Sequence, residues 1–572
     1  MAFLSFSFTV FCVLQIVSAQ RKTVPTEVDA VNKIINHWNL RNKLNLSDDP
    51  CIENAIWAPD SANPIIACDC VGTVCHITHL KIYALDISGE IPQELFLLTE
   101  LMDLALGINN FTGSVPAALG NLTRLRSLSF GSNNLQGTLP RELGNLTLYI
   151  DSSGLSGPIP RELSNLASLQ TIWMSDNGFT GKLPEFLATF TELKDLRVEG
   201  TYLEGPIPNS FSALTKLENL RIGDLNVGES DSSLDFLENL TSLSILDLSF
   251  NKLTGQIPAS FKDFSSLKYL YLGSNKIDGV LPSDIGSKLI ALDVSFNPLT
   301  GNIPLDWSHV SVNTVATSIN DLKNQKASTM LQCLDQNTNC RNKAPSTTFA
   351  VSSGGPEQAD TNGAVYDDDS ENLGAASLYT SSSNKWAVSS SGVFISNING
   401  PIYIALTDSQ IANTLDSELY KTARIAPASL RYYGLGLENG VYRVELHFAE
   451  VVMDDNSASW EGLGRRPFDV YIQTFNANVT NTLTDIHLMW AGKGTCCIPR
   501  QSTFGPLVSA IAVSQVSAYE DSSKGEGKRV GRIVGIVFGC VGALVIACGV
   551  AYLWWTKKDS GDKKIYTQAP KD

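Results

Sequence analysis

Imidazole, thiolate and carboxylate groups are the first places to look for chemistry in this chain. Its six histidines are His37, His76, His79, His309, His447 and His487; none sits in an H-E-x-x-H pair, and no G-x-S-x-G serine accompanies them. His447 lies at a polar position of an alternating strand and reads as a surface residue. Cys68-Asp-Cys70 with His76 and His79 has the donor types of a zinc site. In a secreted chain, disulfides are the stronger reading of Cys51, Cys68, Cys70 and Cys75, and of the C-x6-C pair Cys333 and Cys340. Four clustered cysteines allow three connectivities, and the sequence does not choose among them. The acidic run Asp367-Asp368-Asp369 lacks the spaced ligands of a calcium loop and reads as a solvated loop. No carboxylate pair suited to glycoside hydrolysis stands out. The expectation is a non-enzyme with no metal or cofactor.

Binding chemistry is better represented. Trp, Arg and Tyr dominate the energetics of protein interfaces, and they recur here at fixed steps. Trp173, Arg197, Arg221 and Tyr271, with Asp195, Glu199, Asp224 and Tyr269 beside them, form the candidate ligand face. Ala105, Ser129, Asp247 and Asp293 belong to the same column. The steps come from a repeat whose G-x-[IVL]-P prolines fall at Pro92, Pro116, Pro140, Pro160, Pro184, Pro208, Pro258, Pro282 and Pro304. Each unit carries L-x-x-L-x-L-x-x-N-x-L, as in Leu243 to Leu253, which is the leucine-rich repeat. Alternation along a short strand turns the leucines inward and the residues between them outward. A single unit cannot bury its leucines alone, so the units must stack into a solenoid of parallel strands. Asn109, Asn133, Asn177, Asn251, Asn275 and Asn297 should form an inner hydrogen-bonding ladder, broken by Ser153 and Thr201. The short unit between Pro140 and Pro160 predicts an irregular convex side. Thr26-Glu-Val-Asp29 matches a capping box, opening a helix with an apolar stripe of Val28, Val31, Ile35 and Trp38.

Composition and the two ends place the chain. A net charge of −16 leaves no cation excess for neutralising phosphates, so nucleic acid is not an expected partner. Residues 3–17 are apolar and precede Val17-Ser18-Ala19, the pattern of a secretory signal peptide. Ile533 to Trp555 is uncharged and long enough for a single transmembrane helix. Together they predict a single-pass type I protein of the plasma membrane with its N-terminus extracellular. Sequons at Asn45, Asn110, Asn121, Asn145, Asn239 and Asn478 are candidate glycosylation sites. Gly531, Gly535 and Gly539 offer a small-residue face for helix pairing.

After the repeats the pattern changes. Tyr442, Val444, Leu446 and Phe448 alternate with polar residues behind a hairpin-like Glu438-Asn439-Gly440, and strand signals recur at 468–472 and 507–513. This predicts an antiparallel β-sandwich. The cysteine-framed cap, the N-x-L-x-G-x-I-P repeats, Cys333 and Cys340, and Ser353-Gly-Gly-Pro356 appear in order. Asn439 to Glu450, Arg466 to Gln473 and Trp490 to Thr495 follow them. Together these motifs resemble the extracellular half of plant leucine-rich-repeat receptor-like kinases with a malectin domain (subfamily VIII). The resemblance implies a surface receptor with a carbohydrate-binding-like sandwich near the membrane. Tyr366, Tyr379, Trp386, Tyr432 and Tyr433 are aromatic residues available for sugar platforms, though none matches a family position.

The implied organisation is a signal peptide (1–19), a cysteine-framed cap (20–80), leucine-rich repeats (81–307) and a linker with a cysteine pair (308–346). A malectin-like domain (347–515), a juxtamembrane stretch (516–532), a transmembrane helix (533–555) and a cytosolic tail (556–572) complete it. Three departures from the family stand out. Ser353 replaces the usual cysteine, roughly two dozen residues are missing after Gln473, and no Gly-rich loop, strand lysine, catalytic loop or DFG of a kinase follows the span. Two main readings result. The first is a receptor-like protein that binds an extracellular peptide, glycan or receptor ectodomain. It signals through a partner kinase met by its ectodomain or by the glycine face. The second is a truncated or splice product of such a receptor kinase, acting as a decoy or without function. A wall-anchoring adhesin ranks behind both.

Overall fold

The computed structural model describes residues 21–58, 63–141, 147–165, 169–226, 232–285, 288–321, 330, 331, 334, 345–394, 403–408, 410, 411, 414–449, 451, 470–489 and 505–518. The signal peptide, Asn145, Cys333, Cys340, the apolar 533–555 segment and Gly531, Gly535 and Gly539 lie outside these residues. Among the described residues no helix is long and apolar enough to cross a membrane. The chain divides into Met1–Gln515 and Val516–Asp572, and almost all that follows concerns the first unit.

Short strands stack in sequence order into one thirteen-stranded sheet, parallel throughout except where Ile65–Val71 meets Val74–Lys81. The inward leucines pair in register along it, with Leu80, Leu104, Leu128, Leu148, Ile172, Leu196, Leu220, Leu246, Leu270 and Leu292 all essentially buried. Behind several of the strands an extended proline opens a 3-10 turn, as Pro184 does for Glu185–Thr189. Proline suits that place because its ring fixes φ and the first turn needs no N–H from it. The sheet continues past Pro304 into the sequence segment read as linker, where Ser311–Asn313 pairs with Ala291–Asp293.

The asparagine ladder forms as its chemistry requires. Asn275 Nδ2 donates to Leu248 O (3.0 Å) and Leu272 O (2.9 Å), while its Oδ1 accepts from Leu253 N (2.9 Å) and Asn251 N (3.1 Å). Asn177 does the same one turn from the short repeat. Ser153 fills only part of this role, its hydroxyl reaching Ile150 O. Residues 142–146, where the irregular convex side is expected, lie outside the described segments.

At the N-terminal end the structure selects one cysteine pairing: Cys51–Cys68 and Cys70–Cys75. The zinc alternative is thereby removed, since all four thiols are spent. The helix runs Pro25–His37, with Val24 at its cap and no side-chain cap bond, so the capping box does not form. Proline at the first position has no N–H to satisfy. Glu27 turns instead to the sheet, accepting from Ile77 N (2.8 Å) and lying 2.7 Å from His76 Nδ1. Trp38 is buried in the cap and donates to Glu90 O (3.3 Å).

The second domain is a sandwich of a six-stranded and a four-stranded sheet, with a separate three-stranded sheet beside them. Among the described residues its strand pairs are antiparallel apart from Thr348–Ser353 with Val365–Asp369. Glu438-Asn439-Gly440 is not a hairpin turn. Ser429–Leu435 belongs to the four-stranded sheet and Gly440–Ala449 to the six-stranded one, so the chain crosses between layers there. Leu437, in the crossing segment, is buried in the core the two sheets share. His447 is also not at the surface. Its strand is interior to the sheet, and the turn Ser417–Tyr420 covers it, with Tyr420 Oη 2.8 Å from His447 Nδ1. Burial lowers its pKa.

The acidic run is likewise a strand rather than a solvated loop. Asp369 is completely buried and receives Arg424 Nε (2.7 Å), Arg424 Nη2 (2.8 Å), Tyr432 Oη (2.6 Å) and Gly354 N (3.2 Å). Asp367 accepts from Trp386 Nε1 (3.0 Å). Tyr366, Trp386, Tyr432 and Tyr433 are core residues, so they present no platform to a sugar. Asn45, Asn110, Asn121, Asn239 and Asn478 are exposed.

Candidate binding face of the solenoid

Parallel register with period-two alternation brings one outward residue of each repeat into a continuous row. Tyr149, Trp173, Arg197, Arg221, Asp247, Tyr271, Asp293 and Asn313 are neighbours in that order. Strand separation sets them about 4.8 Å apart. A second row holds Asp195 and Tyr269, and Asp151, Ser175 and Glu199 follow two residues after the first.

Arg197 is the hub of the N-terminal part. Its Nε and Nη2 clasp Asp195 Oδ1 (3.0 Å) and Oδ2 (2.8 Å), and its guanidinium lies 3.6 Å over the Trp173 ring. Tyr149 meets Trp173 edge-on at 4.8 Å. A bidentate pair with a cation on an aromatic face locks the long side chain in one rotamer. Arg221 (2% exposed), Asp247 (3%) and Glu199 (9%) sit beside it in a patch almost free of water. Burial raises the Glu199 carboxyl to about 7, helped by Asp247 and opposed by Arg221 and Arg197. Burial likewise raises Asp151 to about 7 against Arg197, and raises Asp247 against Arg221.

Several atoms of this patch have no partner: Trp173 Nε1, Glu199 Oε2, Arg221 Nε, Asp247 Oδ2 and Tyr271 Oη. Such atoms are rare in folded proteins and call for an explanation. The burial itself comes from the sandwich, which lies against the C-terminal part of the row. Arg221 Nη2 donates to Val393 O (3.0 Å), and Trp173, Tyr269 and Tyr271 pack into one cluster with Val393, Phe394 and Tyr403. Farther along, Arg431 stands 4.0 Å over Phe296 and His487 stacks on Phe250 at 5.5 Å. Burial, and then Arg431, lower His487 to about 4. Ser311 Oγ donates to Ala376 O (2.6 Å) and lies 3.3 Å from Ser377 Oγ.

The structure thus gathers seven of the eight sequence-predicted face residues. Asp224 is the exception: it occupies the left-handed position after its strand (φ 58°) and is exposed off the face. Tyr149 and Asp151 were missed because the short repeat breaks the proline spacing. Stepping back 24 residues from Trp173 and Ser175 would have found both. The covering segment at Val393 carries no periodic signal at all. A separate concavity of about 460 Å³ lies on the sandwich, lined by Gly354, Pro356, Asn372, Tyr403, Leu406 and Thr422 among others. Among the described residues no three-residue group of His, Cys, Asp or Glu could hold a metal ion.

Comparison with known proteins agrees with this architecture. A malectin domain model matches residues 347–477, and leucine-rich-repeat models match 233–277, 124–146 and 168–190. These are ectodomain-type rather than catalytic domains. A probable LRR receptor-like serine/threonine-protein kinase of Arabidopsis thaliana is 41% identical over 267 residues, covering 41% of this chain and 25% of the relative. Another from the same plant is 31% identical over 339 residues, covering 55% and 31%. The chain therefore spans about a quarter to a third of the length of these relatives. Among solved structures, the LRR ectodomain of the Arabidopsis receptor kinase GASSHO1/SCHENGEN3, in complex with Casparian strip integrity factor 2, is 33% identical. It covers 44% of this chain and 31% of that one, with a TM-score of 0.41. The chain carries leucine-rich repeats and a malectin domain, and over this ectodomain-like region it is similar to Arabidopsis LRR receptor-like kinases.

Proposed function

We propose that this protein recognises an extracellular ligand or partner ectodomain at the cell surface, through the outward row centred on Trp173, Arg197, Glu199 and Arg221. One observation carries the reading: charged and aromatic side chains are buried there with hydrogen-bonding atoms left open. The repeat does not need them, because its fold is satisfied by inward leucines and the asparagine ladder. Side chains that the solenoid's own fold does not need, and whose buried polar atoms go unpaired, are the mark of a recognition surface. The kinship with receptor-like kinases supports the same reading. Anchoring by the 533–555 segment, with glycans at the exposed sequons, fits a surface receptor. Signalling then passes to a partner kinase reached through the ectodomain or the Gly531, Gly535 and Gly539 face.

The test is capture of extracellular proteins and peptides by the secreted ectodomain and by its Trp173→Ala and Arg197→Ala variants. The expected outcome is loss of the captured species in both. Unchanged capture in both would remove this face from recognition.

A further inference from the structure

The sandwich touches the binding row with its own backbone, and this suggests what the row accepts. Gly392 holds φ 115°, a conformation that a side chain would strain, and an added Cβ would fall 2.6 Å from Ala428 N. That turn delivers Val393 O to Arg221 Nη2 and lays Phe394 into the cluster with Trp173 and Tyr269. The fit is incomplete. Arg221 Nε and Trp173 Nε1 still lack acceptors, and Glu199 Oε2 and Asp247 Oδ2 still lack donors. An extended peptide carries acceptors and donors alternately along its backbone, so it can answer both sets, while the sandwich turn supplies one carbonyl.

Resting on the concave-face reading above, we propose that the Gly392–Phe394 segment is a built-in stand-in for an extended peptide ligand, and that the sandwich competes with this ligand for the row. Away from the row's centre the sandwich is held by Phe250 under His487, Phe296 under Arg431, Ser311 against Ala376 and Ser377, and a buried apolar cluster that joins Val315 to Leu378, Ala387, Tyr433 and Leu435. Phe250 and Phe296 hold φ 64° and 55°, the left-handed region that asparagine tolerates better than phenylalanine. Replacing both with Asn therefore removes the two aromatic contacts without straining the solenoid. A tethered competitor acts at an effective concentration of about a millimolar, so the apparent affinity for a free peptide is the intrinsic affinity multiplied by the fraction open.

The probe is a synthetic peptide of residues 391–403, fluorescently labelled and titrated into the full secreted ectodomain. Three forms are compared: wild type, F250N/F296N, and S311C/S377C oxidised to clamp the sandwich across the 3.3 Å Oγ separation. The proposal expects F250N/F296N to bind at least ten-fold more tightly than wild type, and the oxidised clamp to bind least. Adding Trp173→Ala to F250N/F296N should abolish the gain. Equal binding by all three forms would overturn the competition, as would binding insensitive to Trp173→Ala. Lack of binding by F250N/F296N at millimolar peptide would overturn the peptide assignment. If capture in the earlier experiment still depends on Trp173 and Arg197 while the three forms bind the peptide alike, the recognition face stands and the stand-in role falls.

Discussion

Asp369 and Arg424 of the sandwich are completely buried, and Glu199, Arg221 and Asp247 of the solenoid nearly so, yet the two groups are furnished very differently. Around Asp369 every carboxylate oxygen is occupied by Arg424, Tyr432 or Gly354 N. Around Glu199 and Asp247 one oxygen each is unpartnered, and Arg221 Nε is unpartnered as well. Burying a charge costs several kcal/mol unless pairing and hydrogen bonds answer it. The Asp369 carboxylate meets that condition, although Arg424 Nη1 is itself unpartnered, and the pair reads as a structural lock. The solenoid patch does not, and its imperfection is what makes it a candidate for recognition.

The contrast breaks most readily at the lock. Arg424→Met should strand the Asp369 charge and destabilise the sandwich by about 3–5 kcal/mol. Urea denaturation, followed by hydrogen exchange along Ser429–Leu435, would register it; a shift within error would mean the pair is not a lock. Next in size is the neutral ladder of the solenoid interior. Asn275→Ala leaves Asn251 N and Leu253 N without their acceptor and should cost about 2–3 kcal/mol. Asn275→Ser should recover part of this, as Ser153 does at its own rung. The smallest effect is expected on the outward row. Glu199→Gln should change stability at pH 7 by no more than about 1 kcal/mol, because the neutral amide resembles the protonated acid.

That last variant also has a pH signature. A carboxyl raised in the folded state stabilises the fold fully below its unfolded pKa, and the contribution fades as pH rises through the folded value. Glu199 and Asp151, both raised to about 7, should therefore weaken the closed structure progressively between about pH 4 and 7. His487 acts in the opposite sense. Its pKa is lowered to about 4, so its contribution is present above about pH 6.5 and is lost as pH falls toward 4. Thermal melts across this range should show a shallower alkaline decline in Glu199→Gln than in wild type. An unchanged slope would show that Glu199 titrates normally.

Much of the solenoid was legible because a period repeats the same physical statement many times. Leucines inward, asparagines in the ladder and the outward row all follow from one spacing, and Trp173, Arg197 and Arg221 fell into register as read. Where the period broke, so did the reading: the short repeat hid Tyr149 and Asp151. Connectivity of the four cysteines depends on how the Ile65–Val71 and Val74–Lys81 strands fold back on each other, a three-dimensional fact that counting cannot supply. His447 was misplaced because alternation marks one face of a strand as polar without showing that a second layer covers it. The contact between Arg221 and Val393 spans 172 residues and leaves no local trace, so the sandwich's position on the row was beyond sequence reasoning.

The central claim is that the outward charged row is kept for recognition and not for stability. Its most direct test is the triple variant Glu199→Gln, Arg221→Met and Asp247→Asn, measured for both melting temperature and ligand capture. Neutral groups of similar shape should leave the melting temperature equal or raise it by a few degrees, while capture is lost. A melting temperature lowered by several degrees with capture intact would contradict the claim and make the row a structural element.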